Sequence, residues 1–223
     1  MNNLTTIKNQ ISAFEKKYSR PAHSVSLLAV SKQQSAEKIR AAYEAGQRAF
    51  GENYLQEALE KIQQLSDLDI EWHFVGPIQS NKTRKIATHF HWVHSVDSFK
   101  VARRLSNQRS SSLPPLNICL EINISGEASK SGIAPSDVAE LAAACNKLPN
   151  IKLRGLMTIP ARADTLESAR ASFHAMHELF DQLNMDGFQL DTLSMGMSDD
   201  YEAAIAEGST CVRIGTAIFG GRS

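Results

Sequence analysis

Lys32 is the residue whose position most strongly suggests chemistry. It directly follows an apolar run, residues 25–31 (VSLLAVS), whose composition is typical of a buried strand. A desolvated lysine amine loses its charge readily, and the neutral amine is a nucleophile that forms Schiff bases with carbonyl compounds. Lys32 is therefore a candidate for reversible bonding to an aldehyde or ketone. A solvated, inactive lysine is the alternative, because most lysines lie at the surface.

Glycines and hydroxyl-bearing residues follow two later strand-like segments. Residues 194–198 read SMGMS, and Arg213 is followed by Ile214, Gly215 and Thr216. Glycine lets the backbone approach an anion closely, and hydroxyls and free amides can bind one. The pattern suggests a phosphate site, although glycine and serine after a strand commonly only form a turn.

For two further polar residues, Arg213 and His73, a purely structural role is an alternative to a functional one. Arg213 could pair with a carboxylate at its strand end or face a ligand. His73 lies between Trp72 and Phe74 in a strand-like run, where a hydrogen-bonded core histidine is the simpler interpretation.

The elements that must position these residues alternate regularly along the chain. An N-terminal helix is predicted over about 2–18. Apolar runs predict strands near 25–31, 48–51, 72–76, 92–95, 116–122, 152–157, 190–194 and 211–214. Apolar residues at helical spacing predict helices over 36–45, 54–65, 82–88, 98–107, 136–147, 165–183 and 199–206.

Eight strands separated by helices predict an α/β fold of parallel strands, a single (β/α)8 TIM barrel with an extra N-terminal helix. Active sites of such barrels lie at the carboxyl ends of the strands, where Lys32, Asn53, Arg213 and the two glycine-containing segments fall. A doubly wound open sheet is the structural alternative. No GxGxxG follows the first strand, which disfavours its nucleotide-binding form.

Composition excludes several classes of protein. The 223 residues are 42% hydrophobic and carry 24 basic and 24 acidic side chains, so neither a nucleic-acid-binding surface nor an acidic tail is expected. The three cysteines lack metal-ligand or disulfide spacing, which favours a reducing compartment and no metal site. With neither a signal-peptide pattern nor a long apolar run, we expect one cytoplasmic domain over residues 1–223, without membrane association.

Six long motifs together resemble a known family. They are LAVSK at 28–32, FGENY at 50–54, WHFVGPIQSNK at 72–82, SGEASKSG at 125–132, LSMGMSDD at 193–200 and VRIGTAIFG at 212–220. In this order they are similar to the motifs of the pyridoxal phosphate homeostasis protein family, whose members resemble the N-terminal barrel domain of alanine racemase.

The resemblance implies that the barrel binds pyridoxal 5'-phosphate. It implies that Lys32 forms the Schiff base, that Arg213 faces the pyridine nitrogen, and that residues of the two glycine-containing segments hold the phosphate. The residues it assigns to the cofactor are Lys32, Asn53, His73, Ser194, Met195, Gly196, Arg213, Gly215 and Thr216. Lys130 lies in a family-like loop without an assigned role, and no catalytic residue is assigned.

The function implied is a carrier that holds pyridoxal phosphate reversibly in vitamin B6 and amino-acid homeostasis, without evident turnover. An arginine at the ring nitrogen disfavours its protonation and so restrains carbanion chemistry. We also expect the β-rich second domain of the racemases to be absent, because the sequence ends shortly after the last motif. A pyridoxal-phosphate-dependent racemase or related enzyme is the alternative, and a Schiff-base aldolase fits the chemistry but not the motifs. We expect a monomer that contacts apo-enzymes transiently.

Overall fold

The computed structural model describes residues 2–127, 130–162 and 165–221. Within these residues, eight parallel strands form a closed barrel in sequential order, and the last strand pairs with the first. The strands are β1 (Ser26–Val30), β2 (Ala49–Glu52), β3 (Glu71–Phe74), β4 (Trp92–Val96), β5 (Leu116–Glu121), β6 (Ile151–Met157), β7 (Thr192–Ser194) and β8 (Cys211–Ile214). The predicted (β/α)8 barrel is confirmed.

Helices cover the outside of the barrel, one before β1, one after β8 and the others between consecutive strands. They are α1 (Asn2–Lys17), α2 (Ala36–Glu44), α3 (Leu55–Gln64), α4 (Thr83–His89), α5 (Phe99–Gln108), α6 (Val138–Cys145), α7 (Leu166–Met185), α8 (Tyr201–Ala206) and α9 (Thr216–Phe219), with a 3-10 turn (Pro135–Asp137) before α6. Helix α9 is absent from the predicted elements, because four residues are too few to show a helical period. No helix in the described parts of the chain is both long and apolar enough to cross a bilayer.

The additional helix α1 packs on the outer surface of the barrel, against α8 and α9. Its buried face carries apolar side chains at helical spacing, and the Tyr201 hydroxyl donates to Gln10 Oε1 at 2.8 Å. Glu15 accepts the backbone amides of His23 and Val25, at 3.2 and 2.9 Å. These bonds fix the approach to β1, and α1 therefore stabilises the part of the barrel where β8 meets β1.

The inside of the barrel differs from the main core, which lies between the strands and the helices. A small separate apolar cluster (Leu28, Val75 and Cys211) occupies part of the interior. Polar side chains occupy much of the rest, and their exposed fractions do not exceed 5%: His73, His94, Ser194 and Arg213. Buried polar groups need hydrogen-bond partners. The interior therefore contains a polar network rather than only packed hydrocarbon.

Candidate functional site

A cavity of about 250 Å³ opens at the carboxyl ends of the strands. This is slightly below the range of about 300–1,000 Å³ typical of small-molecule pockets, as suits a small ligand. Five of the nine residues predicted to hold a cofactor line it: Lys32, Asn53, Arg213, Gly215 and Thr216. They come from β1, β2 and β8 or the turns that follow them, so the closed barrel brings together residues distant in sequence.

The backbone on both sides of Lys32 is held by α3. Lys61 Nζ donates to the carbonyl of Ser31 at 2.7 Å, and the amide of Gln33 donates to Glu57 Oε1. Lys61 also pairs with Glu57, so one ion pair fixes the residues before and after Lys32. Gln33 has a φ of 57°, a conformation that non-glycine residues seldom adopt. The half-buried Lys32 therefore projects from a constrained turn into the cavity.

A fully buried carboxylate completes this support. Glu52 Oε1 accepts hydrogen bonds from Ser31 Oγ at 2.7 Å and from Lys61 Nζ at 2.8 Å. Burial raises the pKa of Glu52, while the Lys61 ammonium partly opposes that effect. Charged groups in such surroundings are strongly dependent on their partners. The end of β2 is thereby linked through Lys61 to the turn that carries Lys32.

Arg213 is anchored below the cavity by backbone and side-chain acceptors. Its Nη1 donates to the Ser194 carbonyl at 2.6 Å and to Ser194 Oγ at 2.8 Å, and its Nη2 donates to the Thr158 carbonyl at 2.8 Å. Burial lowers the pKa of Arg213, but a guanidinium starts high enough to remain charged at neutral pH. Arg213 therefore presents a fixed positive charge to the cavity.

Asn53 contributes a polar group that has room for a ligand. Its Oδ1 is buried and has no hydrogen-bond partner among the described residues. A Cβ added at Gly76 would come within 2.1 Å of the Asn53 carbonyl oxygen, so only glycine permits the close packing that holds the Asn53 backbone. A buried, unsatisfied acceptor costs about 1–3 kcal/mol. The Asn53 amide at the cavity wall is thus suited to a polar substituent of a ligand.

The turns after β7 and β8 form the corner that the sequence suggested for phosphate. Ser198, Gly215 and Thr216 all line the cavity. Asp200 Oδ1 accepts the amide of Met197 at 2.6 Å and closes the turn after β7. A Cβ at Gly215 would lie 2.9 Å from the carbonyl oxygen of Val30, so glycine lets the β8 turn approach the end of β1. Hydroxyls and backbone of these two turns therefore line the cavity together with Lys32, and the β8 turn lies beside the end of β1.

Four predicted cofactor residues are not among those that line this cavity. Ser194 Oγ bonds to Arg213 and His94, the Met195 side chain is fully buried in the main core, and Gly196 packs against α8. His73 lies towards the amino ends of the strands, where it bonds Glu71 and His94, so it is the hydrogen-bonded core histidine that the residue pattern favoured. Contact of Ser194 and His73 with a cofactor, and contact through the main chain of Met195 and Gly196, stay predictions.

Several lining residues are absent from the predicted set. They include Ser198, a hydroxyl-bearing residue of the glycine-containing segment 194–198, and also Gln34 and Asp199. Lys130 is half-buried and pairs with Glu127 at 3.5 Å. The other part of its motif, residues 128 and 129, lies outside the described residues. The signal for Ser198 was its place in the turn beyond a strand rather than within it.

The fold and cavity define a (β/α)8 barrel in which a strand-end lysine, a buried arginine and a glycine- and hydroxyl-containing corner line one cavity. The family model described as alanine racemase, N-terminal domain, matches residues 3–223. The alanine racemase of Clostridium difficile 630 has a TM-score of 0.78 at 17% identity, covering 99% of this chain and 57% of that one. At this identity the likeness shows the fold alone.

Relatives of higher sequence identity identify the family more specifically. A "Pyridoxal phosphate homeostasis protein" of Pseudomonas aeruginosa is 60% identical over 203 residues, which are 91% of this chain and 87% of the relative. The structure of PipY from Synechococcus elongatus PCC7942 with PLP bound has a TM-score of 0.81 at 39% identity, covering 94% of this chain and all of that chain. The chain belongs to the pyridoxal phosphate homeostasis protein family, as its motifs indicated.

Proposed function

We propose that this protein binds pyridoxal 5'-phosphate in the strand-end cavity and holds it reversibly, as part of vitamin B6 and amino-acid homeostasis. The observation that carries the proposal is the meeting of Lys32, Arg213 and the β7–β8 corner in one cavity. The names of the relatives and the PLP-bound PipY structure support the same ligand.

The residues fit the chemical parts of this cofactor. Lys32 supplies the amine that bonds the aldehyde carbon reversibly, with loss of water. Ser198, Gly215 and Thr216 supply hydroxyls and amides for the phosphate, since amides at the start of a helix lack intrahelical acceptors. Asn53, whose Oδ1 has no partner among the described residues, is available to a polar ring substituent.

Arg213 sets what chemistry is favoured. The cofactor, when bound, supplies an aldehyde that exchanges between amines and a ring that can accept electrons. A fixed guanidinium beside the ring nitrogen disfavours a second positive charge there, which weakens the ring as an electron acceptor. Arg213 thus favours reversible exchange of the aldehyde over strong stabilisation of carbanions.

Covalent attachment is tested with Lys32→Ala. Wild-type protein incubated with pyridoxal phosphate should show the visible absorption of a lysine-bound cofactor, and borohydride reduction should attach the mass of the cofactor to Lys32. Lys32→Ala should show neither signal. Lys147→Ala, at an exposed lysine, is the control and should behave as wild type. Wild-type protein that binds no cofactor, or labelling spread evenly over surface lysines, would refute the proposal.

Turnover separates a carrier from a racemase. We expect the loaded protein to exchange the α-hydrogen of amino acids for deuterium no faster than free pyridoxal phosphate does. We also propose that it is a cytoplasmic monomer that delivers the cofactor to apo-enzymes, which transfer assays and size-exclusion measurements would test. Faster α-exchange that depends on Lys32 would favour the enzyme.

A further inference from the structure

A continuous line of hydrogen-bonded side chains runs through the barrel interior to Arg213. Glu71 Oε1 lies 2.7 Å from His73 Nε2, and His73 Nδ1 lies 2.9 Å from His94 Nε2. His94 Nδ1 lies 2.8 Å from Ser194 Oγ, which in turn lies 2.8 Å from Arg213 Nη1. These five residues, here called the barrel column, connect the amino-terminal mouth of the barrel with the strand-end cavity.

With both imidazoles neutral, the two ends of the barrel column fix the direction of every hydrogen bond in it. A guanidinium can only donate and an ionised carboxylate can only accept. Arg213 therefore donates to Ser194, whose hydroxyl donates to His94 Nδ1. His94 Nε2–H then donates to His73 Nδ1, and His73 Nε2–H donates to Glu71. Each imidazole needs only one proton in this arrangement, and no donor faces another donor.

Burial supports the neutral form of both histidines. Burial is the main cause of the lowered pKa of His94, and the nearby His73 and Arg213 lower this pKa further. Burial also lowers the pKa of His73. Glu71 opposes this effect, whereas His91 adds to it. The His73 ring stacks on Trp92 with a 4° angle between planes and 5.5 Å between centroids, which restricts its rotation.

We propose that Ser194 and His94 are positioning residues that orient the Arg213 guanidinium towards the strand-end cavity, where it meets the pyridine nitrogen. The inference rests on the proposed function for the identity of that ligand. Ser194 supplies two of the three acceptors of the Arg213 guanidinium recorded in the structure. His94 holds the Ser194 hydroxyl so that its lone pairs face Arg213. His73 and Glu71 fix the tautomer of His94.

A column that served stability alone would behave differently. Replacing a buried hydrogen-bonded serine then lowers the free energy of unfolding but leaves the Arg213 protons and the cofactor unaffected. Ser106 is a matched control, because it is fully buried and its hydroxyl donates to a backbone carbonyl, that of Pro149 in the loop before β6. Ser106→Ala and Ser194→Ala should thus cost similar stability while only the second alters Arg213.

The first measurement uses the cofactor-free wild-type protein at neutral pH. Imidazole nitrogen chemical shifts should show His73 and His94 neutral, each protonated on Nε2, and the Arg213 Nη protons should exchange slowly with solvent. Ser194→Ala and His94→Phe should accelerate that exchange, whereas Ser106→Ala should not. An Nδ1-protonated or cationic His94, or unchanged exchange in Ser194→Ala, would overturn the proposal even if the His94 variant failed to fold.

The second measurement is cofactor binding. Ser194→Ala and His94→Phe should each weaken the affinity for pyridoxal phosphate about tenfold and shift the pH dependence of its absorption band. The double variant should lose less than the product of the two effects, because both act through Arg213. Wild-type affinity and spectrum in both single variants would refute the positioning role. If wild-type protein bound no cofactor, the proposed function would fail, while the Arg213 exchange rates would still decide whether the column positions the guanidinium.

Discussion

At the scale of single residues, the cavity end of the barrel holds ionisable groups whose environments change their proton affinity. Glu121 lies at the end of β5, is 9% exposed, and has a pKa raised to about 7, mainly by burial and secondly by Asp97, with Arg213 opposed. In the unfolded chain the pKa of a glutamate is about 4.3. The folded protein therefore binds a proton on Glu121 more tightly than the unfolded chain does.

We predict that Glu121 makes the protein less stable as pH rises from about 4 to about 7. A raised folded-state pKa stabilises the fold below the unfolded pKa, and this contribution is lost as pH rises through the folded pKa. Between pH 5 and 8, wild type should lose about 2 kcal/mol relative to Glu121→Gln, allowing for partial solvation. Urea unfolding at several pH values measures this difference. The exposed Glu140→Gln is the control, and parallel curves for wild type and Glu121→Gln would contradict the prediction.

Among single residues, the sequence predicted which side chains meet at the strand ends but not how deep in the barrel the others lie. Lys32, Arg213 and Gly215 were predicted to meet because the carboxyl ends of parallel strands share one face, and the cavity brings them together. Ser194 and His73 also point inward, but at deeper levels of the barrel. Alternation along a strand indicates which side chains point inward. It does not give their height in the barrel, which depends on the relative stagger of all the strands.

At the scale of elements, the strands and most helices were predictable because their signals are local. Apolar runs predicted β1 and β8, and helical spacing predicted α7. The predicted ends differ from the observed ends by no more than a few residues. Helix α3 was predicted as an amphipathic helix, but its support of Lys32 was not. That support depends on Lys61 reaching across to Ser31 and Glu52, a contact between elements that no local pattern records.

We predict that Lys61→Met destabilises the protein by about 3–5 kcal/mol and weakens cofactor binding. The substitution leaves Glu52 buried without its ammonium partner, which is costly. Adding Glu52→Gln removes the buried charge and should restore much of the stability. It should not restore the affinity, because Ser31 and Glu57 still lack the contact that fixes the Lys32 turn. Denaturant unfolding and cofactor titration test both parts, with Lys147→Met as control, and a Lys61→Met loss below about 1 kcal/mol would contradict the argument.

At the scale of the whole molecule, the site depends on the closure of the barrel. Lys32 follows β1 and Arg213 lies in β8, the two strands whose pairing closes the sheet, with Leu28 in register with Arg213. Helix α1 packs over the outer side of this junction. A ligand that contacts both residues therefore links the first and last strands, which are far apart in sequence and adjacent only in the folded barrel.

We predict that pyridoxal phosphate stabilises the whole barrel and not only the turns around it. A ligand that binds only the folded state adds about 2.7 kcal/mol at a concentration about 100 times its Kd. For a chain of this size, that corresponds to a Tm increase of about 5–10 °C. Thermal unfolding with and without cofactor measures the shift, and hydrogen exchange should show added protection in both β1 and β8. Lys147→Ala should shift as wild type does, whereas Lys32→Ala should shift much less because the covalent link is lost. Equal shifts in wild type and Lys32→Ala, or protection confined to the turn after β8, would show that the cofactor does not bind across the junction.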